Sequence, residues 1–476
     1  MHITELGYIL IPIGILLLLI RPYWLFGLVG VAAIFQAAAV MTLGSSTSSS
    51  EALPLTPYYF VLLLLLIAFA QSTLRHFLHR LKSDRRYQLL FLLLLWAGLS
   101  SALLPHLFTG LPVFSPRAGL GTPLLSLTPL HLQISNIAQT IYLFLNIYFL
   151  ICMESSFNRA DVIAIMFKGI YIGLGLVLLI GFTMKFMPGE IVHIHGLLYS
   201  NLAASQTYTY MVYHNRIYST FTEPSMLACY IAAICCSFAA RIAFASRLTT
   251  LPLIALIASC LVLLWTGSTT GYVAFLSGLF LLFLAVVVWP LLHGRIRMSS
   301  LVVFGLLFLF GVISYIFLPA AIQRYYFYRN FLHKNRTLSA EYRFIADRYT
   351  LHIFSSTYGL GAGLGSDRPS SFLTYLLANL GLPGVVLIAA LLGYTLYLVY
   401  QYYQAGGAGH NGLAMTFWGF TANLFGMLAA LPDLNWSFLW IWWALLGAIC
   451  MASQAPRAPV LSASGMQTRL LTAAPA

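Results

Sequence analysis

Apolar residues form long, continuous runs that recur from one end of the chain to the other. A helix needs about 20 mostly apolar residues to cross a bilayer, and many of these runs approach that length. Strands of a membrane β-barrel would alternate apolar and polar residues over about ten positions, so the pattern favours helices. We predict an all-α, polytopic transmembrane helical bundle of about thirteen helices, forming a single integral membrane domain over residues 1–476. The predicted helices lie near 7–20, 23–43, 57–73, 87–104, 134–152, 162–184, 222–240, 250–266, 271–290, 300–318, 372–400, 413–430 and 436–452.

Composition supports this class of protein and excludes several others. The chain is 60% hydrophobic and 7% charged, whereas a soluble globular protein carries about 25% charged residues. The mean hydropathy of +0.88 likewise excludes an ordinary soluble enzyme and a disordered chain. The formal net charge is +13, but no basic run lies on a polar domain that would bind nucleic acid. The six cysteines lie in or beside apolar runs without metal-ligand spacing, so we expect packing roles for them and no metal or other cofactor.

The distribution of lysine and arginine predicts how the helices are oriented. Residues 75–86 contain five basic residues, which by the positive-inside rule makes this segment cytoplasmic. Alternation then puts the N-terminus outside, the tail 453–476 in the cytoplasm and the long loop 319–371 outside.

The outer loop 319–371 carries many arginines and few partners for them. It contains seven basic residues against three carboxylates, which leaves a solvated loop as one interpretation and an anion-binding surface as the other. The planar guanidinium fork matches phosphate oxygens, so a lipid-linked phosphate or diphosphate is the expected anion. The basic residues are Arg324, Arg329, Lys334, Arg336, Arg343, Arg348 and Arg368.

A first candidate site precedes the predicted helix 222–240. Glu223 and Pro224 suit a helix start, where the helix dipole favours a negative charge, so a simple cap formed by Glu223 or Ser225 is one interpretation. Glu223 is also one of only 11 acidic residues in the chain, and Arg216 lies seven residues upstream. A carboxylate beside an arginine at the membrane boundary indicates a functional site as the other interpretation.

Two further candidates lie in and after the loop. Arg343 and Arg348 precede a glycine run over 359–365, whose backbone amides would suit an anion; tight-turn geometry is the alternative. The segment 366–371 then leads back into the membrane, and Arg368 is either a ligand contact or an interfacial anchor.

Together these segments resemble the O-antigen polymerase/O-antigen ligase superfamily, in its bacterial repeat-unit polymerase branch. The resemblance rests on Arg216 to Ser225, on the spacing from Arg348 to Gly359 and on the stretch from Gly361 to Gly384, in the expected order. The turn 266–271 resembles the family's Ser-Arg-x-Gly motif but lacks the arginine. The ligase branch has His-[Asn/Ser/Gln]-x9-Gly-x-x-Gly, and this chain has Ser371-x9-Gly381-x-x-Gly384 at that place. Ser370 stands where the histidine should be, which favours a polymerase. Because His352 would be able to replace that histidine in space, a ligase-type transferase remains an alternative.

The resemblance implies a metal-independent membrane glycosyltransferase with a GT-C-like bundle, acting on the outer face of the bacterial inner membrane. Its substrate would be an undecaprenyl-diphosphate-linked oligosaccharide, polymerised into O-antigen or exopolysaccharide, with the bilayer, a chain-length regulator and a flippase as further partners. The expected catalytic residues are Arg216, Glu223, Arg348 and His352. Glu223 would orient Arg216 or act as general base, and His352 is the weaker candidate for a base. The expected substrate-binding residues are Arg343, Arg368, Arg324, Arg329, Arg336, Ser225 and Ser370.

A lipid-linked glycan flippase is the alternative from a different functional class. It would need an alternating cavity and charged residues near helix centres. The predicted helices are nearly free of such charges, so one-sided chemistry is the favoured interpretation.

Overall fold

The computed structural model describes residues 2–43, 53–114, 127–156, 161–201, 216–245, 250–293, 298–317, 338–404 and 410–454. Eight helices in these residues are long and apolar enough to span a membrane, and four shorter apolar helices accompany them. The chain is thus an all-α, multi-pass membrane protein, while the number of about thirteen crossings stays a prediction. In chain order the elements are β1 His2–Ile3, α1 Glu5–Ile20, α2 Trp24–Ala32, β2 Met41–Leu43, β3 Leu53–Leu55, α3 Pro57–Leu81, α4 Arg85–Leu107, β4 Pro112–Phe114, β5 Leu127–Pro129, α5 Ile134–Ser156, α6 Val162–Phe186, α7 Pro188–His193, α8 His195–Leu198, α9 Pro224–Phe244, α10 Thr250–Thr266, α11 Thr269–Phe283, α12 Trp289–Leu292, α13 Met298–Phe317, α14 Leu338–Ser356, α15 Phe372–Gln404, α16 His410–Ala430 and α17 Ser437–Gln454.

One predicted helix, 23–43, is wrong in its second half. Helix α2 ends at Ala32, and the chain continues without helical structure to β2. Its backbone groups find partners elsewhere: the Thr220 hydroxyl donates to the Ile34 carbonyl at 2.7 Å, and the Ala37 amide donates to the Thr220 carbonyl at 3.1 Å. Non-helical backbone at membrane depth is stable only when such partners are available within the protein. An apolar sequence pattern alone does not reveal them.

Short strands, which the sequence did not predict, close one end of the bundle. β1, β2 and β3 form an antiparallel sheet in that order, and β4 pairs with β5. The Thr4 side chain, just after β1, donates to the Val40 carbonyl at 3.2 Å and ties the start of α1 to this sheet.

Helix α9 is the central helix of the bundle, since nearly all of its side chains are buried. Its small side chains allow glycines of neighbouring helices to approach closely: an added Cβ at Gly271 of α11 would lie 2.4 Å from the Ala228 Cβ atom, and one at Gly426 of α16 would lie 2.8 Å from the Cys229 sulfur. Small residues at helix contacts are how membrane helices pack in the absence of a hydrophobic driving force. All six cysteines are free and buried, which confirms the prediction that they are packing residues.

The glycine run after α14 is a buried plug between helices. Gly359, Gly361, Gly363 and Gly365 all have positive φ angles, and residues 361–367 are buried. An added Cβ would lie 2.8 Å from the Ser100 carbonyl oxygen at Gly363 and 2.8 Å from the Ser135 carbonyl oxygen at Gly365. Several amides that the sequence offered to an anion are already used, such as that of Gly363, which donates to the Asn379 carbonyl at 3.0 Å. The tight-turn interpretation therefore describes the run better.

Helix α15 is broken at Gly381, where φ is +63° and ψ is −163°. The Leu382 amide donates to the Gly359 carbonyl at 2.8 Å, and the Trp96 indole donates to the Leu380 carbonyl at 2.8 Å. The backbone groups that the kink frees are thus satisfied by the plug and by α4.

Gly381→Ala is expected to destabilise the protein by about 1–3 kcal/mol through the left-handed backbone alone. The clash adds to this cost, because the new Cβ atom would lie 2.2 Å from the Gly359 carbonyl oxygen. The measurement is the apparent Tm in detergent. Gly393→Ala is the matched control, since an added Cβ there meets nothing within 4 Å and alanine favours helix. An equal Tm for both variants would contradict the packing described for the plug.

A buried ion pair lies at the end of the bundle opposite to the glycine plug. Arg86 of α4 pairs with Glu154 of α5, and the Tyr87 hydroxyl donates to the same carboxylate at 2.7 Å. Arg86, one of the five basic residues that led to the prediction of a cytoplasmic segment at 75–86, is thus buried in the bundle and only 1% exposed. Helix α3 continues to Leu81, so Arg75 and Arg80 of the same segment lie in this helix.

Candidate functional site

The segment from Arg216 to Glu223 is folded into the protein at the end where α9 begins. Residues 217–221 are buried, held in part by the Thr220 contact to the segment after α2. Arg216 is half-buried, and its Nε donates to the Thr266 carbonyl at 2.8 Å. The segment therefore presents Arg216 to the turn between α10 and α11.

Glu223 stands at the start of α9, immediately before Pro224 in the first turn. Its carboxylate is half-buried and accepts a hydrogen bond from the Ser225 hydroxyl. The predicted helix start is confirmed. At this point the Glu223 carboxylate attracts positive charges, whereas the amide groups of the helix N-terminus attract negative charges.

The turn 266–271 is the meeting point of two arginines. Thr266 accepts from Arg216, and the Thr270 hydroxyl accepts from Nη1 of Arg343 at 3.4 Å. The same turn packs against the helix that Glu223 precedes, since a Cβ added at Gly271 would lie 2.4 Å from the Ala228 Cβ atom of α9. We call Arg216, Glu223 and Arg343 the arginine site.

Helix α14 carries the second arginine and connects two parts of the site. Arg343 and Asp347 are four residues apart and therefore share a face, with Ala346 and Thr350 buried along it. Asp347 accepts from the Ser370 amide at 2.9 Å and from the Ser370 hydroxyl at 2.6 Å. It also accepts from the Thr374 hydroxyl at 2.7 Å. Asp347 thus holds α14 against the start of α15. Arg343, one helical turn earlier, then lies next to the turn 266–271.

The other predicted residues of α14 lie on its exposed face. Arg348 and His352 are both exposed, and His352 shares a hydrogen bond with the Ser356 hydroxyl at 2.8 Å. The structure therefore brings Arg216 together with Arg343, which the sequence suggested only as a substrate contact, and not with Arg348, which it suggested as a catalytic residue. Helical geometry explains the difference, because residues 343 and 348 are about 140° apart around the axis.

The strand β4 is fastened to the segment after the glycine plug. The Asp367 carboxylate accepts from the Phe114 amide at 2.9 Å, and the Arg368 amide donates to the Phe114 carbonyl at 3.1 Å. Asp367 is 1% exposed, and burial raises its pKa to about 7, while the amides of Phe114 and Arg368 oppose that rise. The Arg368 side chain remains exposed.

The raised pKa of Asp367 predicts a pH-dependent stability. Above the ordinary pKa of 3.8 and below about 7, the folded protein keeps a proton that the unfolded chain has lost, so stability falls as the pH rises through this window. The expected loss is about 2 kcal/mol between about pH 5.5 and pH 7. The apparent Tm in detergent measures it. Asp367→Asn should remove this part of the slope and keep the acceptor for the Phe114 amide; an unchanged slope would contradict the assignment.

The loop 431–436 supplies a residue that the sequence analysis missed. Asp433 is half-buried, and its Oδ1 accepts from the Asn435 amide at 2.8 Å. Trp436, three residues on, packs its ring 6.2 Å from that of Phe221, centroid to centroid, so this loop lies against the segment that carries Arg216 and Glu223. Only the scarcity of carboxylates in the chain could have drawn attention to Asp433.

Three predicted substrate contacts, Arg324, Arg329 and Arg336, lie outside the described residues. Within the described part of the chain, no group of three histidine, cysteine, aspartate or glutamate side chains is placed to hold a metal ion. A comparison with protein-family models and one with curated proteins both give no match to this chain.

Proposed function

We propose that this protein is a membrane glycosyltransferase that polymerises undecaprenyl-diphosphate-linked oligosaccharide repeat units into O-antigen or exopolysaccharide. It would act on the extracytoplasmic face of the bacterial inner membrane, in a GT-C-like bundle of about thirteen crossings. The observation that supports this proposal is the arginine site: Arg216 and Arg343 reach the same turn, 266–271, beside Glu223.

Two half-buried arginines at one turn suit a departing diphosphate. The bond from the anomeric carbon to the phosphate oxygen breaks as the new sugar bond forms, and the leaving group gains negative charge. Guanidinium groups fixed in position beforehand stabilise that charge without reorganisation, and they do so most strongly where water is scarce. Arginine also binds phosphate oxygens through two parallel hydrogen bonds.

The surroundings of Ser370 support a polymerase over a ligase-type transferase. Ser370 occupies the position of the ligase histidine, and both its amide and its hydroxyl are bound by Asp347. His352, the residue considered as a replacement, lies on the exposed face of α14. We therefore assign Ser370 to holding α14 against α15.

The test is an assay of purified protein in lipid nanodiscs with a radiolabelled lipid-linked repeat unit. A polymerase should form products that are multiples of the repeat and release undecaprenyl diphosphate in proportion. The same protein in sealed vesicles, with the substrate on one side, tests the flippase alternative. Translocation of the substrate without polymer formation would overturn the proposal, and so would the absence of both translocation and polymer formation.

The sidedness is tested separately by cysteine labelling of spheroplasts. Arg348→Cys places a thiol at an exposed position, and it should react with a membrane-impermeant maleimide, whereas the native cysteines are buried. Labelling only after lysis would contradict an extracytoplasmic site.

A further inference from the structure

Asp433 faces a small group of polar side chains at the site end of the bundle. Its charge acts on the hydroxyl groups of Tyr59 and Tyr375, and the Arg368 guanidinium acts on its carboxylate. The Tyr375 hydroxyl is buried and has no hydrogen-bond partner among the described residues. A buried hydroxyl without a partner is costly, which indicates that this corner is built to receive a polar ligand.

The carboxylates at this end differ in how far their oxygens are already used. Glu223 is bound by Ser225, and Asp347 accepts three hydrogen bonds from Ser370 and Thr374. Asp367 is 1% exposed, so a sugar hydroxyl has no access to it. Asp433 has its Oδ1 occupied by the Asn435 amide, whereas its Oδ2 has no donor among the described residues.

The Asn435 amide and the Trp436 ring fix where Asp433 stands. The amide bond holds the carboxylate in one orientation, and the Trp436 ring holds the loop against Phe221, two residues before Glu223. The loop that carries Asp433 therefore lies against the segment that carries Arg216 and Glu223. A displacement reaction needs a base for the attacking hydroxyl and positive charge for the leaving group, and this end of the bundle offers Asp433 for the first role and the arginine site for the second.

On the basis of the proposed function, we propose that Asp433 is the catalytic base that accepts the proton of the attacking sugar hydroxyl. The hydroxyl proton moves to Oδ2 of Asp433, and the oxygen forms a bond to the anomeric carbon. The bond from that carbon to the diphosphate breaks, and its electron pair leaves with the diphosphate lipid toward Arg216 and Arg343. Asp433 then releases the proton to water.

The pKa of Asp433 fits this role. Burial raises it to about 6, opposed by the Asn435 amide and the Arg368 charge. A base with a pKa somewhat below the working pH is ionised and still basic enough to take up a proton.

The experiment compares Asp433→Asn with the wild-type protein in the nanodisc assay. Asparagine keeps the acceptor for the Asn435 amide, so folding should be retained, which the apparent Tm checks. We expect kcat to fall about 100- to 10,000-fold, with the binding of undecaprenyl diphosphate within about twofold. The wild-type polymerisation rate should also decline as the pH drops through about 6. Asp433→Glu should recover part of the rate, and its rate should decline at a different pH.

Asp161→Asn is the matched control, since Asp161 is exposed, has a φ angle of 47° that asparagine tolerates, and precedes α6. It should leave both rate and pH profile unchanged. A wild-type protein that forms no polymer overturns the proposed function and, with it, the role of Asp433. If the wild type is active and Asp433→Asn is equally active, only the role of Asp433 is overturned. The same holds if Glu223→Gln, and not Asp433→Asn, abolishes the decline of the rate at low pH.

Discussion

Replacing either Arg216 or Arg343 with alanine is expected to lower the rate of repeat-unit polymerisation about 100- to 1000-fold. Each replacement removes one guanidinium from the turn 266–271, and with it about 3–4 kcal/mol of stabilisation of the leaving diphosphate. Lysine should restore little of the rate at either position, because an ammonium group cannot form the paired hydrogen bonds of a guanidinium. Initial rates of undecaprenyl diphosphate release measure the effect.

Arg348→Ala is the matched control for these two variants. Arg348 lies on the same helix as Arg343 but on its exposed face, so its loss should change the rate less than about tenfold, as screening by water predicts. The opposite result would contradict the arginine site as described. In that case Arg348→Ala would lower the rate about 100- to 1000-fold and Arg343→Ala less than about tenfold, so that Arg216 would act together with Arg348.

Glu154→Gln is expected to destabilise the protein by about 3–5 kcal/mol. Glu154 is fully buried and pairs with Arg86, whose Nε and Nη2 atoms are buried without a hydrogen-bond partner among the described residues. Neutralising the carboxylate therefore leaves a buried charge uncompensated. The apparent Tm and the monodispersity of the purified protein are the measurements.

Two further variants separate the pair from a general effect of charge. Arg85→Ala removes the neighbouring, exposed arginine and should leave the Tm almost unchanged. The double variant Arg86→Met with Glu154→Leu should recover much of the lost stability, because apolar residues often replace a buried pair at little cost. An unchanged Tm in Glu154→Gln would contradict the description of this pair.

The sequence predicted the helices well because membrane helices need little more than length and apolar composition. The predicted helix 250–266 coincides with α10, and the predicted start at 372 coincides with that of α15. The prediction of a helix over 23–43 failed after Ala32, because Thr220 and other distant residues supply the hydrogen bonds that a helix would otherwise make. Contacts between distant segments leave no periodic signal in the chain.

The candidate site was predicted in its residue types more than in its arrangement. Arg216, Glu223 and Arg343 were all identified, yet the sequence did not show which arginine of α14 faces inward; that depends on the buried stripe formed by Ala346 and Thr350. Asp433 was missed because it stands alone between two apolar helices. Its position matters only because Trp436 packs against Phe221.

We propose that Arg216 and Arg343 together bind a lipid diphosphate, and the Kd of undecaprenyl diphosphate for purified protein in nanodiscs tests this. Undecaprenyl diphosphate carries the full charge that the leaving group would develop. We expect wild type and Arg348→Ala to bind it similarly, while Arg216→Ala and Arg343→Ala each raise the Kd at least about tenfold, or about 1.4 kcal/mol. Equal binding by wild type and both arginine-site variants would show that the two arginines do not bind the diphosphate.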